Sequence, residues 1–204
     1  MGEDTLELLS ADERARAKRL VDERTRLLWM RSRGVLRALL GRYLQTDASA
    51  ICFATGAHGK PALSKLEPNE GLSTAISFNL SHSDTVALYA LASHGAVGVD
   101  VEYAHRRSID AVALAGRMFG VAEAERLRAL DPLSREREFL RAWVRHEAEL
   151  KCLGVGIGGA DSPARPERQP WIAQLPMETN WAAAVATIAE PRELRCWEWP
   201  PSAA

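Results

Sequence analysis

Two carboxylates one residue apart, Asp100 and Glu102, lie in the stretch VGVDVEY (97–103). Val97, Val99 and Val101 alternate with them as the buried side of a β-strand does, so Gly98, Asp100 and Glu102 share the other face. On a strand, positions i and i+2 are roughly 7 Å apart. Like charges that close repel, and one of them resists ionisation unless something positive sits nearby. A hard divalent cation meets that need. Mg²⁺ takes one or two protein carboxylates and completes its shell with water and phosphate oxygens. The competing reading is a solvated edge of an antiparallel sheet with no chemistry attached.

A second cluster lies on FLRAWVRHEAELK (139–151). Phe139, Trp143, Glu147 and Lys151 recur every four residues and form one drifting helical stripe. In one reading Glu147 and Lys151 are an ordinary i,i+4 ion pair worth about 0.3 kcal/mol. In the other, the aromatic pair anchors the helix while its far end delivers a carboxylate and an ammonium to a site. FNLSHS (78–83) contributes Ser81, His82 and Ser83, which are turn formers in one reading and donors for phosphate oxygens in the other. HGKPAL (58–63) sets Lys60 between glycine and proline, without the GxxxxGK[ST] spacing of a P-loop.

Holding such groups requires an ordered core, and 204 residues suffice for one large domain or two small ones. A hydrophobic content of 47% with 26% charged residues is that of an ordinary globular chain. The net charge of −1 supplies no global field for nucleic acid or an anionic membrane, so neither is an expected partner. Arg and Lys nevertheless crowd residues 14–42, where an anionic ligand should be sought. The longest strongly apolar run, AAAVATIA (182–189), is too short to span a bilayer. The acidic start MGEDTLELLS lacks a signal peptide's basic-then-apolar order. Cys52, Cys152 and Cys196 are widely spaced without CxxC, which speaks against a zinc site and for a reducing, cytoplasmic setting.

Ser10 and Glu13 make a capping-box pattern that opens a helical region over 11–44, with Gly34 the place where it would divide. Strands are expected at 51–55, 85–92 and 97–103, SHGA (93–96) making a hairpin between the last two. Helices are expected over 108–130 and 134–153, a polar Pro-rich loop over 158–170, and short strands near 171–173, 181–188 and 194–199. This order predicts an α+β fold of two similar α+β halves, residues 1–95 and 96–204.

Taken in order, GKPAL, FNLSHS, GVDVE and WVRHEAELK resemble the motifs of the 4′-phosphopantetheinyl transferases of the two-half type, which serve polyketide, fatty-acid and nonribosomal peptide synthases. That family shows GKP, an FNxSHS-like motif, G(V/I)DxE and WxxKExxxK. The resemblance implies two similar α+β halves about a pseudo-two-fold axis, with coenzyme A in the cleft between them. It implies a Mg²⁺ held by Asp100, Glu102 and Glu147 together with the pyrophosphate of coenzyme A. It further implies transfer of phosphopantetheine to a serine of an apo acyl or peptidyl carrier protein, releasing adenosine 3′,5′-bisphosphate. Glu147 would accept the serine proton, directly or through a metal-bound water, and Lys151 would stabilise the leaving phosphate.

The same resemblance assigns Lys60, Ser81, His82, Asp100 and Lys151 to coenzyme A. It adds Arg26 and Arg33, two turns apart on the basic helix, for the 3′-phosphate, with Arg37 and Arg16 as further candidates. Two halves in one chain imply a monomer. Met118 and Phe119 are either core residues or a meeting point for a carrier helix. One departure stands out: His146 occupies the place of the family's lysine before Glu147, which puts coenzyme A affinity and the pH profile in question. Two other readings compete. One is a module that binds coenzyme A or a carrier without turnover, and the other a Mg²⁺-dependent nucleotide hydrolase.

Overall fold

The computed structural model describes residues 5–55, 60–64, 76–104, 110–155 and 169–199. All but the last two residues of the polar loop expected at 158–170 lie outside these. By contacts the chain divides into two units: residues 1–56, 61–74 and 191–204, and residues 57–60 and 75–190. In this grouping residues 77–83 go with the strand at 97–103, to which the side chains of Asn79, Ser81 and Ser83 bond.

In the first unit, α1 (Ala11–Lys18) opens on the anticipated capping box, Ser10 and Glu13 each accepting from the other's amide. The helical region breaks at residues 19–22, where Asp22 caps a second helix, α2 (Glu23–Leu44). Gly34 does not divide α2. A Cβ there would stand 2.0 Å from the Thr5 carbonyl oxygen, so this glycine admits a close backbone approach instead. Leu36 and Leu40 are fully buried, as is Arg37, whose guanidinium donates to Glu13 at 2.7 Å and to the carbonyls of Ala48 and Ile51 at 2.9 Å each. Two short strands, β1 (Phe53–Thr55) and β2 (Pro61–Leu63), pair antiparallel. Residues 194–199 are irregular rather than a strand, and Trp199 lies beneath the Arg42 guanidinium.

The second unit is built on a three-stranded antiparallel sheet in the order β5 (Val97–Tyr103), β7 (Trp181–Thr187), β6 (Trp171–Gln174). Its long helix is α5 (Pro132–Leu153), started by the Asp131 cap with Pro132 in the first turn and stopped by Gly154 at φ 72°. Val144, Ala148 and Cys152 of α5 pack on Ala182, Ala184 and Ala186 of β7. Small residues on β7 let the helix lie close. In register, Gly98, Asp100 and Glu102 stand opposite those alanines, so α5 crosses the face of β5 that carries the two carboxylates. The region expected to be one helix over 108–130 is two, α3 (Ala111–Met118) and α4 (Val121–Arg128), because Gly120 at φ 94° turns the chain between them. Ala115, Leu127 and Phe139 form their common core, with Phe119 and Trp143 against it.

A hairpin of β3 (Ser77–Ser83) and β4 (Val86–Ala92) completes this unit. The expected β4–β5 hairpin does not form: β5 shares its ladder with β7. What lies beside β5 is β3, which meets it through side chains.

Candidate active site

Along β3, Asn79, Ser81 and Ser83 occupy alternate positions and are buried, while His82 faces the other way and is exposed. The three side chains bond to β5 in step. The Asn79 amide oxygen accepts from the Val99 N–H at 2.8 Å, the Ser81 hydroxyl donates to Asp100 Oδ1 at 2.8 Å, and the Ser83 hydroxyl donates to Glu102 Oε2 at 2.9 Å. Ser83 also accepts from the Tyr103 N–H. The sequence offers Ser81 and Ser83 both as donors, the resemblance assigns only Ser81 to coenzyme A, and neither singles out Asn79. The signal was present in FNLSHS, whose polar residues at i, i+2 and i+4 share a strand face as the carboxylates of GVDVE do.

From above, α5 delivers the stripe anticipated from its sequence. Phe139 and Trp143 stack 6.0 Å apart in the helical core, Glu147 is buried, and Lys151 reaches the carboxylates. The Lys151 ammonium donates to Asp100 Oδ1 at 2.6 Å and to the Ser81 hydroxyl at 2.9 Å. Gly98 sets this approach. A Cβ there would lie 2.1 Å from the Ala148 carbonyl oxygen and 2.3 Å from the Cys152 nitrogen, so only glycine lets the helix backbone rest on the strand.

The electrostatics are unbalanced. Among the described residues, Asp100 and Glu147 are set close to the Lys151 ammonium, which pairs with Asp100. Burial pushes the Glu147 carboxyl up, the Asp100 and Glu102 charges add to the rise, and Lys151 offsets only part of it. Two buried oxygens, Asp100 Oδ2 and Glu147 Oε1, have no hydrogen-bond partner among the described residues. Acceptors left this way are costly unless a cation or donor completes them. Among the described residues no three acidic, histidine or cysteine side chains converge tightly enough to cage a metal alone. A site with two bare carboxylate oxygens and surplus negative charge fits a hard cation that draws its other ligands from a phosphate.

The remaining expected residues lie elsewhere. Lys60 is turned inward, its ammonium donating to the Val97 and Lys151 carbonyls at 2.9 and 2.6 Å. Arg26 and Arg33 belong to the first unit. Arg33 pairs with Glu13 at 2.8 Å and lies over the Phe53 ring, while Arg26 has a weaker contact to Glu23 at 3.9 Å. His146 sits edge-on to Phe119, ring centroids 5.5 Å apart, with a buried Nε2 that has no partner. Its ring is thus spent on the aromatic core.

The α+β fold thus sets buried carboxylates, with unmet oxygens among them, against the Lys151 ammonium. Comparison with known proteins gives the family. The 4′-phosphopantetheinyl transferase superfamily model matches residues 96–198, and the 4′-phosphopantetheinyl transferase N-terminal model matches residues 3–94. The chain is 34% identical to the 4′-phosphopantetheinyl transferase HetI of Nostoc sp., an alignment covering 97% of this chain and 86% of that one. It is 31% identical to a putative 4′-phosphopantetheinyl transferase of Synechocystis sp. over 78% of this chain and 63% of that one. It is also 37% identical to the transferase AcpT of Salmonella typhi over 59% and 61%. The chain belongs to the 4′-phosphopantetheinyl transferase superfamily and is an enzyme of that activity.

Proposed function

We propose that this enzyme transfers the 4′-phosphopantetheine moiety of coenzyme A to a serine of an apo acyl or peptidyl carrier protein, in a Mg²⁺-dependent reaction that releases adenosine 3′,5′-bisphosphate. One observation carries the reading: Asp100 Oδ2 and Glu147 Oε1 are bare, buried oxygens beside the Lys151 ammonium. Asp100, Glu147 and Glu102 would hold the cation. Bound there, Mg²⁺ would neutralise negative charge on the pyrophosphate of coenzyme A.

The chain's own groups account for the rest. Lys151, fixed by Asp100 and Ser81, places a positive charge where the leaving phosphate needs it. Glu147, buried on the α5 stripe one turn before Lys151, would accept the serine hydroxyl proton. Ser81 and His82, with Arg26 and Arg33 for the 3′-phosphate, are the further contacts to coenzyme A. We take the pseudo-symmetric halves to be residues 1–95 and 96–204. We read the enzyme as a monomer, since one chain supplies both halves, and as cytoplasmic, with Cys52, Cys152 and Cys196 free.

Intact mass spectrometry of apo-carrier proteins incubated with the enzyme, coenzyme A and Mg²⁺ tests this. The expected result is a gain of one phosphopantetheine per carrier serine, matched by released adenosine 3′,5′-bisphosphate, lost with a chelator and restored by Mg²⁺. A carrier panel that stays unmodified while coenzyme A binds would overturn the proposal. Phosphate release from nucleotides would point to the hydrolase reading instead.

A further inference from the structure

The GKP lysine has a role that phosphate binding does not describe. Lys60 precedes β2 and belongs to the second unit, where its ammonium donates to Val97 O on β5 and Lys151 O in the last turn of α5. These carbonyls flank the helix–strand crossing that Gly98 makes possible. The Lys151 carbonyl is one of the C-terminal acceptors of the helix, reached among the described residues also by the Gly154 N–H at 3.3 Å. A cation there complements the negative end of the helix dipole. A second tie lies alongside, where the Cys152 thiol donates to the Ala96 carbonyl at 3.4 Å.

From these contacts we infer that Lys60 is a positioning residue, a clasp that pins the last turn of α5 to β5 and thereby fixes the Lys151 ammonium over Asp100. Its ammonium holds the main chain of Lys151, and the Lys151 side chain holds Asp100 and Ser81. One lysine thus sets the place of the other. Without the clasp, the last turn frays as helix ends do where their carbonyls lack donors. The Lys151 side chain then loses its fixed origin. A charge displaced by about 1 Å from a reacting group costs on the order of 10²-fold in rate.

Two measurements on Lys60→Met, which keeps the chain length and removes the donors, test this. The first needs no activity. Hydrogen–deuterium exchange should rise about tenfold for the amides of residues 151–155, the turn whose carbonyl loses its donor, and stay unchanged for 132–143. The second rests on the transferase reading proposed above. In carrier modification, kcat should fall about 30- to 100-fold while KM for coenzyme A stays within about twofold, since no phosphate contact is lost. Lys60→Gln, which keeps an N–H donor, should recover part of both losses, and it takes the place of the methionine variant if that does not fold. Unchanged exchange at 151–155 would overturn the clasp whatever the activity. A KM for coenzyme A raised tenfold or more at constant kcat would assign Lys60 to the ligand instead. Failure of the wild-type protein to modify a carrier would count against the transferase reading and leave the exchange result to decide the clasp.

Discussion

Gly98→Ala is a one-methyl test of how the site is assembled. The added Cβ would lie 2.1 Å from Ala148 O, 2.3 Å from Cys152 N and 2.9 Å from Lys151 C, all backbone atoms of α5. No rotamer relieves such a contact, so the helix must withdraw by roughly 1 Å to regain ordinary van der Waals distance. It cannot do so freely, because Val144, Ala148 and Cys152 are packed on the alanines of β7. Overpacking of this kind costs about 1–3 kcal/mol. The same displacement carries Lys151 off Asp100, where the present N–O distance is 2.6 Å, and a shift of that size costs about 10²-fold in turnover. Carrier modification by intact mass, with thermal unfolding of the same sample, measures both. The expected variant is folded, less stable, and at least 30-fold slower at saturating coenzyme A. Full activity with unchanged stability would refute the claim that close helix–strand contact positions the site.

Other expectations follow from the same geometry. Lys151→Ala removes the ammonium that pairs with Asp100 and should lower kcat about 10²- to 10³-fold, read by single-turnover transfer. Ser83→Ala removes the hydroxyl that orients Glu102, and the Mg²⁺ concentration for half-maximal activity should rise about tenfold, as loss of a partner to a metal ligand does. Glu13→Ala strips Arg37, 2% exposed, of its charge partner and should cost about 3 kcal/mol in denaturant unfolding. Burial pushes the Glu13 carboxyl up, but the Ser10 amide and the Arg37 and Arg33 charges outweigh it and hold it below its ordinary 4.5. Its folded-state pKa is depressed, so its contribution is present above pH 4.5 and lost as pH falls through the lower folded value. The Glu13→Ala penalty should therefore shrink in acid.

How far the sequence revealed the site depended on whether the governing interactions were local. The stripe Phe139, Trp143, Glu147, Lys151 follows from helical period alone, and the structure places its aromatic end in the core and its charged end over Asp100. The alternation in VGVDVEY likewise yields the strand and its acidic face. What it does not yield is the neighbour. SHGA reads as a hairpin, yet β4 pairs with β3, β5 pairs with β7, and the Val99 and Tyr103 N–H groups of β5 go to the Asn79 and Ser83 side chains of β3. Strand partnership is decided by packing across long sequence separations, which no local pattern encodes. Gly34 misled for a related reason: a helical glycine signals either a break or a close approach, and only the position of Thr5 tells them apart. The inward turn of Lys60 was equally hidden, since its partners are main-chain carbonyls 37 and 91 residues away.

The arrangement also explains how the acidic strand face is tolerated beneath a helix. A face of Gly98, Asp100 and Glu102 is a poor surface for α5 by hydrophobicity alone. Each polar member is therefore answered individually: Asp100 by Ser81 and Lys151, Glu102 by Ser83, and the bare backbone at Gly98 by the helix itself. The answers stop short of balance, leaving Asp100 Oδ2 and Glu147 Oε1 unmet. Glu147→Ala would relieve that imbalance while removing a ligand of the proposed cation, whereas Asp100→Ala would also strip Lys151 and Ser81 of their partner. Glu147→Ala should thus separate stability from function. In metal-free protein Glu147→Ala should unfold no more easily than wild type, since the buried carboxylate it removes is disfavoured by burial and by two like charges. Stabilisation of the folded state by added Mg²⁺ and coenzyme A should vanish in both variants. A Glu147→Ala protein that still gains stability from Mg²⁺ and coenzyme A as wild type does would show that the cation is held elsewhere.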